Sequence, residues 1–118
     1  MTFTLEQLNA RVAERAFAPP ELSYTATLLE DGIERCARKF GEEAVEAIIA
    51  AISKDKRAVV AETADVLFHL LVMLKSADVT LDEVMVELDR RTTRSGHEEK
   101  ASRKTSGKAA GKAKGKTK

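Results

Sequence analysis

Lys-Phe-Gly-Glu-Glu-Ala-Val-Glu fills residues 39–46, and Glu-Thr-Ala-Asp fills residues 62–65. Between them lie an apolar run and a short polar break, Ser53-Lys-Asp-Lys56. At about 100° per residue, Glu43 and Glu46 fall roughly 60° apart on one helix flank. Glu62 and Asp65 repeat that i, i+3 spacing on the next helix. An antiparallel pairing of the two helices turns the acid pairs toward each other as a nest of four carboxylates. Carboxylates that close resist ionising together, so the nest calls for a cation. Hard oxygen ligands with room left for water and phosphate suit magnesium, with manganese as an alternative.

The bland reading of Glu-x-x-Glu is a solvated helix face. The second pair argues against it. Val59, Val60, Ala64, Val66, Leu67, Phe68, Leu70, Leu71, Val72, Met73 and Leu74 make its helix apolar nearly all round, as in a buried helix. Buried acids need a neutralising partner. For Glu62 and Asp65 the alternative to a metal is an internal salt bridge to arginine or lysine.

Working outward, the pattern is helical throughout, with no β-type alternation. Thr4-Leu-Glu-Gln7 reads as a capping box opening a first helix that Pro19-Pro20 ends. Ser23 reads as the N-cap of a short helix over 24–30, closed by Asp31-Gly32. A third helix is expected from Ile33 to Ile52. Ile33, Ala37, Phe40, Ala44, Ile48 and Ala51 are expected to face the chain's own core. Val45, Ile49 and Ile52 form a second strip, expected to face another subunit. The fourth helix follows to about Ala77. Thr80-Leu-Asp-Glu83 opens a fifth, with Leu81, Val84, Met85 and Leu88 inward. The expected architecture is an all-α bundle of four to five helices.

The 118 residues suit one small domain, with 43% hydrophobic residues, four Phe, one Tyr and no Trp. No window holds the roughly 18 consecutive apolar residues of a membrane span. Met1-Thr-Phe-Thr-Leu-Glu-Gln7 lacks the basic and apolar regions of a signal peptide. Cys36, the single cysteine, allows no internal disulfide and reads as an apolar filler, so a cytoplasmic protein is expected. The net charge of +1 is divided unevenly. Residues 100–118 carry eight Lys or Arg and no acid, whereas residues 1–99 carry twelve basic and nineteen acidic groups, a net of −7. A folded acidic domain over 1–99 and a disordered basic tail over 100–118 are therefore expected. The tail can bind polyanions weakly by counterion release, but scarce aromatics and an acidic domain argue against base reading.

At 39–46 and 62–65 the sequence resembles the all-α nucleotide pyrophosphohydrolases of the MazG type, whose motif is Glu-Glu-x-x-Glu followed by Glu-x-x-Asp. Within them it is most similar to the phosphoribosyl-ATP pyrophosphatase family of histidine biosynthesis. Four phrases carry that narrower likeness: Ser-Tyr-Thr-Ala-Thr-Leu-Leu (23–29), Lys39 to Glu46, Ala64 to Val72, and Ser-Gly-His-Glu-Glu-Lys-Ala (95–101). The resemblance covers roughly residues 4–103 and implies Mg²⁺-dependent hydrolysis of the α–β phosphoanhydride of phosphoribosyl-ATP. It also implies a homodimer in the stand-alone form, without the cyclohydrolase domain to which this one is fused elsewhere. The basic tail departs from the family pattern. A house-cleaning NTP or dUTP pyrophosphatase of the same fold is the rival reading, and the Ser-Tyr-Thr and Ser-Gly phrases argue against it.

The residues assign roles consistent with this. Glu43, Glu46, Glu62 and Asp65 hold the metal, which screens phosphate charge and orients a water. Glu42, about 100° round the helix from Glu43, is the candidate general base or a ligand to a second ion. Lys39 and Arg35, one and two turns before Glu43, are candidates for phosphate oxygens; the alternative for both is a salt bridge to Glu43 or Glu46. His69, one turn after Asp65, either bonds a substrate phosphate, orients Asp65, or is a satisfied core histidine. Tyr24 either bonds substrate or packs. Ser95 and Gly96 offer backbone N–H groups.

Overall fold

The computed structural model describes residues 2–93. Five α-helices and one short 3-10 turn follow one another, with no strand among the described residues: α1 Leu5–Ala16, the turn Pro20–Leu22, α2 Tyr24–Asp31, α3 Ile33–Ile52, α4 Lys56–Ser76 and α5 Leu81–Thr92. The all-α architecture is the one the sequence predicts; the 3-10 turn that begins at Pro20 and ends just before Ser23 is an addition to it.

Local signals account for the boundaries. Thr4 and Gln7 close a reciprocal capping box at α1, with Gln7 N–H donating to Thr4 Oγ1 at 3.1 Å and Thr4 N–H to Gln7 Oε1 at 2.8 Å. Ser23 works twice. Its Oγ accepts from Ala26 N–H at 3.1 Å, capping α2, and donates to the Arg15 carbonyl at 2.9 Å, tying α2 to the end of α1. Gly32, at φ +100°, ends α2 and begins α3 within one residue, a backbone state that L side chains rarely adopt. Asp55 caps α4 by accepting from Ala58 N–H at 3.1 Å.

Two compact units result, one through Leu81 and one from Asp82 onward. In the first, α3 and α4 make the most extensive helix pair, a hairpin closed by the break at residues 53–55. Val12, Leu28, Cys36, Leu71, Val72 and Leu81 form its core, with Leu5, Leu8, Leu29, Phe68, Met73 and Leu74 packed against them. Cys36 is buried as expected, and its Sγ–H donates to the Leu28 carbonyl at 3.2 Å. In the second unit, α5 carries its own ion pairs: Glu87 binds Arg90 at 2.7 Å and Arg91 at 2.8 Å. Those two guanidinium groups, Arg90 first, hold the Glu87 carboxyl down at about 2.

Three packing expectations are corrected. On α3, Ile33 and Ile48 are exposed rather than in the core, and Cys36 and Ala50 are the buried residues. Small side chains face the neighbouring helices there, which allows a closer approach than isoleucines would. On α4, only His69, Leu71 and Val72 are buried, and Val60 and Leu67 are exposed, so the helix is not enclosed by the described residues. On α5, Leu81 is buried, whereas Met85 and Leu88 are exposed. The expected second strip of α3 does lie outside: Val45, Ile49 and Ile52 are 54%, 57% and 75% exposed. Among the described residues, no helix is long and apolar enough to cross a membrane.

Candidate active site

The α3–α4 hairpin brings Glu43 of α3 against Glu62 and Asp65 of α4. One carboxylate oxygen from each lies within 4.8 Å of the others. Glu43 and Glu62 are partly buried and Asp65 is exposed, so the cluster is open on one side. Glu62 Oε1 is fully buried, with no hydrogen-bond donor among the described residues. Burial foremost, then the neighbouring carboxylates of Glu46, Asp65 and Glu43, push the Glu62 carboxyl above the ordinary glutamate value. An orphaned oxygen in a knot of acids needs a positive charge to repay its desolvation. These donors, all hard carboxylate oxygens with an open side, fit a divalent cation of the magnesium type. Glu46 adjoins Glu62 from α3, and both line a hollow of about 300 Å³ with Ile49, Ala50, Ser53, Asp55 and Ala58.

The salt-bridge alternative for Glu62 and Asp65 finds no support, since neither carboxylate has an arginine or lysine partner among the described residues. The basic residues go elsewhere. Lys39 Nζ lies 3.3 Å from Glu42 and 3.9 Å from Glu43, on the edge of the cluster. The Glu42 carboxylate first, then the Tyr24 hydroxyl, hold its ammonium more firmly protonated than usual. Glu42 turns outward, its side chain 50% exposed against 12% for Glu43. Arg35 pairs with Asp31 at 2.7 Å, neither with Glu43 nor with Glu46.

His69 is buried. Its Nδ1 lies 2.9 Å from the Asp65 backbone carbonyl, an acceptor only, so Nδ1 carries the proton and Nε2 is left as an acceptor. The Tyr24 hydroxyl donates to that Nε2 at 3.4 Å. Phe68 completes the row, stacked with Tyr24 at 6.3 Å and edge-on to His69 at 5.0 Å. Both ring nitrogens of His69 are thus engaged, and the half-exposed Tyr24 reaches the surface in its place. Nothing in the local sequence signals this exchange, because Tyr24 and His69 are 45 positions apart. Ser95 and Gly96 lie outside the described residues.

A family model described as phosphoribosyl-ATP pyrophosphohydrolase matches residues 5–92. The phosphoribosyl-ATP pyrophosphatase of Azorhizobium caulinodans is 58% identical over 100 residues, covering 85% of this chain and 92% of that protein. That of Paracoccus denitrificans is 59% identical over 100 residues, covering 85% and 93%. That of Rhodobacter capsulatus is 59% identical over 99 residues, covering 84% and 96%. The match runs through every helix that builds the acid cluster, and the chain belongs to the phosphoribosyl-ATP pyrophosphohydrolase family.

Proposed function

We propose that the chain hydrolyses the α–β phosphoanhydride of phosphoribosyl-ATP, releasing phosphoribosyl-AMP and pyrophosphate, an early step of histidine biosynthesis. The observation that carries the reading is the convergence of Glu43, Glu62 and Asp65 around the unpartnered Glu62 oxygen, in a chain of this family. Glu43, Glu46, Glu62 and Asp65 are the residues that hold magnesium, or manganese in its place. When bound, the ion supplies the positive charge that screens the phosphate oxygens and orders a water.

The protein's own groups do the rest. Glu42, outside the cluster and half-exposed, accepts the proton from the attacking water as general base. Lys39, held cationic by Glu42, releases that carboxylate and takes a non-bridging phosphate oxygen as the polyphosphate enters. Arg35, one turn earlier on α3, exchanges the exposed Asp31 for phosphate at the outer end of the chain. His69 fixes the backbone at Asp65 and acts on substrate through the Tyr24 hydroxyl.

The active unit is a homodimer, since Val45, Ile48, Ile49, Ile52 and Val60 leave a broad apolar surface beside the acid-lined hollow. The catalytic domain extends over residues 1–99 in the cytoplasm, and the basic tail over 100–118 adds only weak, salt-sensitive attraction to polyanions. Product analysis over a panel of phosphoribosyl-ATP, dUTP and the common NTPs tests the reading. Phosphoribosyl-ATP should be the preferred substrate, yielding pyrophosphate; preference for dUTP or an unmodified NTP would replace it with the house-cleaning activity.

A further inference from the structure

We infer that the groove between α1, α2 and α4 is a subsite for a phosphomonoester. On the substrate proposed above, whose identity this assignment rests on, it takes the far phosphate of the ribosyl arm. The groove is a cavity of about 180 Å³, floored by Leu8, Val12 and Phe68 and lined by Arg11, Arg15 and Thr25. Among the described residues, no acid lines it.

Thr25 is the first sign of a ligand. It is only 3% exposed, yet its hydroxyl has no hydrogen-bond partner among the described residues. A buried threonine hydroxyl ordinarily finds a carbonyl partner, although for Thr25, second in α2, the carbonyls one turn back are those of Glu21 and Leu22, before the helix. Thr27, two residues on, does so, donating to Ser23 O at 3.2 Å and to Pro20 O at 3.0 Å. Thr25 instead lines the cavity with no partner for its hydroxyl among the described residues.

The arginines are the second sign. Arg11 and Arg15 stand one turn apart on the same face of α1, a like-charge spacing that costs a few tenths of a kcal/mol. Neither makes an ion pair among the described residues, whereas Arg35 and Arg91 each have a carboxylate. The Phe3 ring, 4.5 Å from the guanidinium carbon, holds Arg11 in place. Two guanidinium forks and a hydroxyl donor match the three terminal oxygens of a phosphomonoester, and the anion removes the repulsion between the forks.

Position links the groove to the acids. Phe68 is part of its floor and stacks on Tyr24, which lies beside Lys39 at the cluster's edge. From Glu62 to Phe68 α4 rises about 9 Å, a separation that an extended nucleotide bridges. Plain ATP has no phosphate to place there, so the groove would select the ribosylated nucleotide.

The test uses the full chain and the double variant Arg11→Gln/Arg15→Gln, with Thr25→Val as a second variant. Both arginines are at the surface, so the fold should survive their change. Calorimetry with ribose 5-phosphate should show binding to the native chain, weakened about tenfold or more in the double variant. Ribose without phosphate should not bind. The KM for phosphoribosyl-ATP should rise about tenfold in the double variant with kcat little changed, and the KM for ATP should move far less. Thr25→Val should shift both readouts in the same direction by a smaller factor. Absent ribose 5-phosphate binding, or equal binding by native and double variant, overturns the subsite. Binding lost in the variant while phosphoribosyl-ATP kinetics stay unchanged overturns the substrate-arm assignment and gives the groove to a separate phosphorylated compound. A native chain that binds ribose 5-phosphate but releases no pyrophosphate from phosphoribosyl-ATP refutes the proposed reaction while leaving the phosphate site intact.

Discussion

Glu62 concentrates the tension of the molecule in one side chain. Its Oε1 is buried without a donor among the described residues, and burial together with three neighbouring carboxylates raises its pKa. Ionising it in the folded chain is therefore harder than in the unfolded chain. The stability this group contributes is complete below its ordinary value of 4.5 and is lost as pH rises through the folded value. Glu62→Gln should lower turnover by about 100-fold or more while helix content is kept. Without metal, its melting temperature near pH 7 should equal or exceed that of the native chain, and the advantage should shrink as pH falls toward 4.5. Circular dichroism melts at two pH values check this, and a metal-free variant several degrees less stable would argue that Glu62 is a structural residue. The approach of Glu43 to Glu62 and Asp65 is legible in the sequence, because i, i+3 acid pairs on two helices joined by a short break face each other once the helices pair antiparallel. The Tyr24–His69 contact was not legible, since it depends on how α2 packs against α4.

Helix ends are legible in this sequence and helix faces are not. Thr4, Ser23 and Gly32 mark ends through bonds within a few residues, which sequence displays directly. The core face of α3 was assigned by its large apolar residues. Ile33 and Ile48 are nevertheless 44% and 57% exposed, because Cys36 and Ala50 occupy the contacts. Periodicity counts apolar residues but does not say which of two apolar strips the chain covers itself. Ser23 joins two elements, so Ser23→Ala should cost about 1–2 kcal/mol of unfolding free energy in urea, more than an ordinary cap, by losing both the Ala26 cap and the bond to Arg15. On α5, pairing with Arg90 and Arg91 lowers the Glu87 carboxyl from 4.5 to about 2. Its contribution is present above 4.5 and lost as pH falls through about 2. These pairs are exposed, so the effect is small. Comparing the helicity of the native chain with Glu87→Gln should show a slight deficit in the variant at pH 6 that disappears near pH 2; an equal deficit at both would assign it to helix propensity instead.

At the scale of the whole molecule, Ile48, Ile49, Ile52 and Val60 are exposed, and they are the side chains that the proposed second copy would cover. At roughly 25 cal/mol per Å² of apolar area, burying a few such residues per subunit contributes several kcal/mol. If the proposed dimer forms, Ile49→Glu should split it and lower activity together, because Ile49 also lines the hollow beside Glu46 and Glu62. Light scattering that finds the native chain monomeric at micromolar concentration, and fully active, would remove the dimer. The central claim is that the acid knot of α3 and α4 is a metal-loaded phosphoanhydride hydrolase site. The most direct measurement is pyrophosphate release from phosphoribosyl-ATP by the native chain and by Glu62→Gln, with magnesium titrated from a chelated baseline. Release that is absent under chelation, rises to saturation with magnesium in the native chain, and stays at baseline in Glu62→Gln is the expected result. Release that persists under chelation, or that survives in Glu62→Gln, would contradict it.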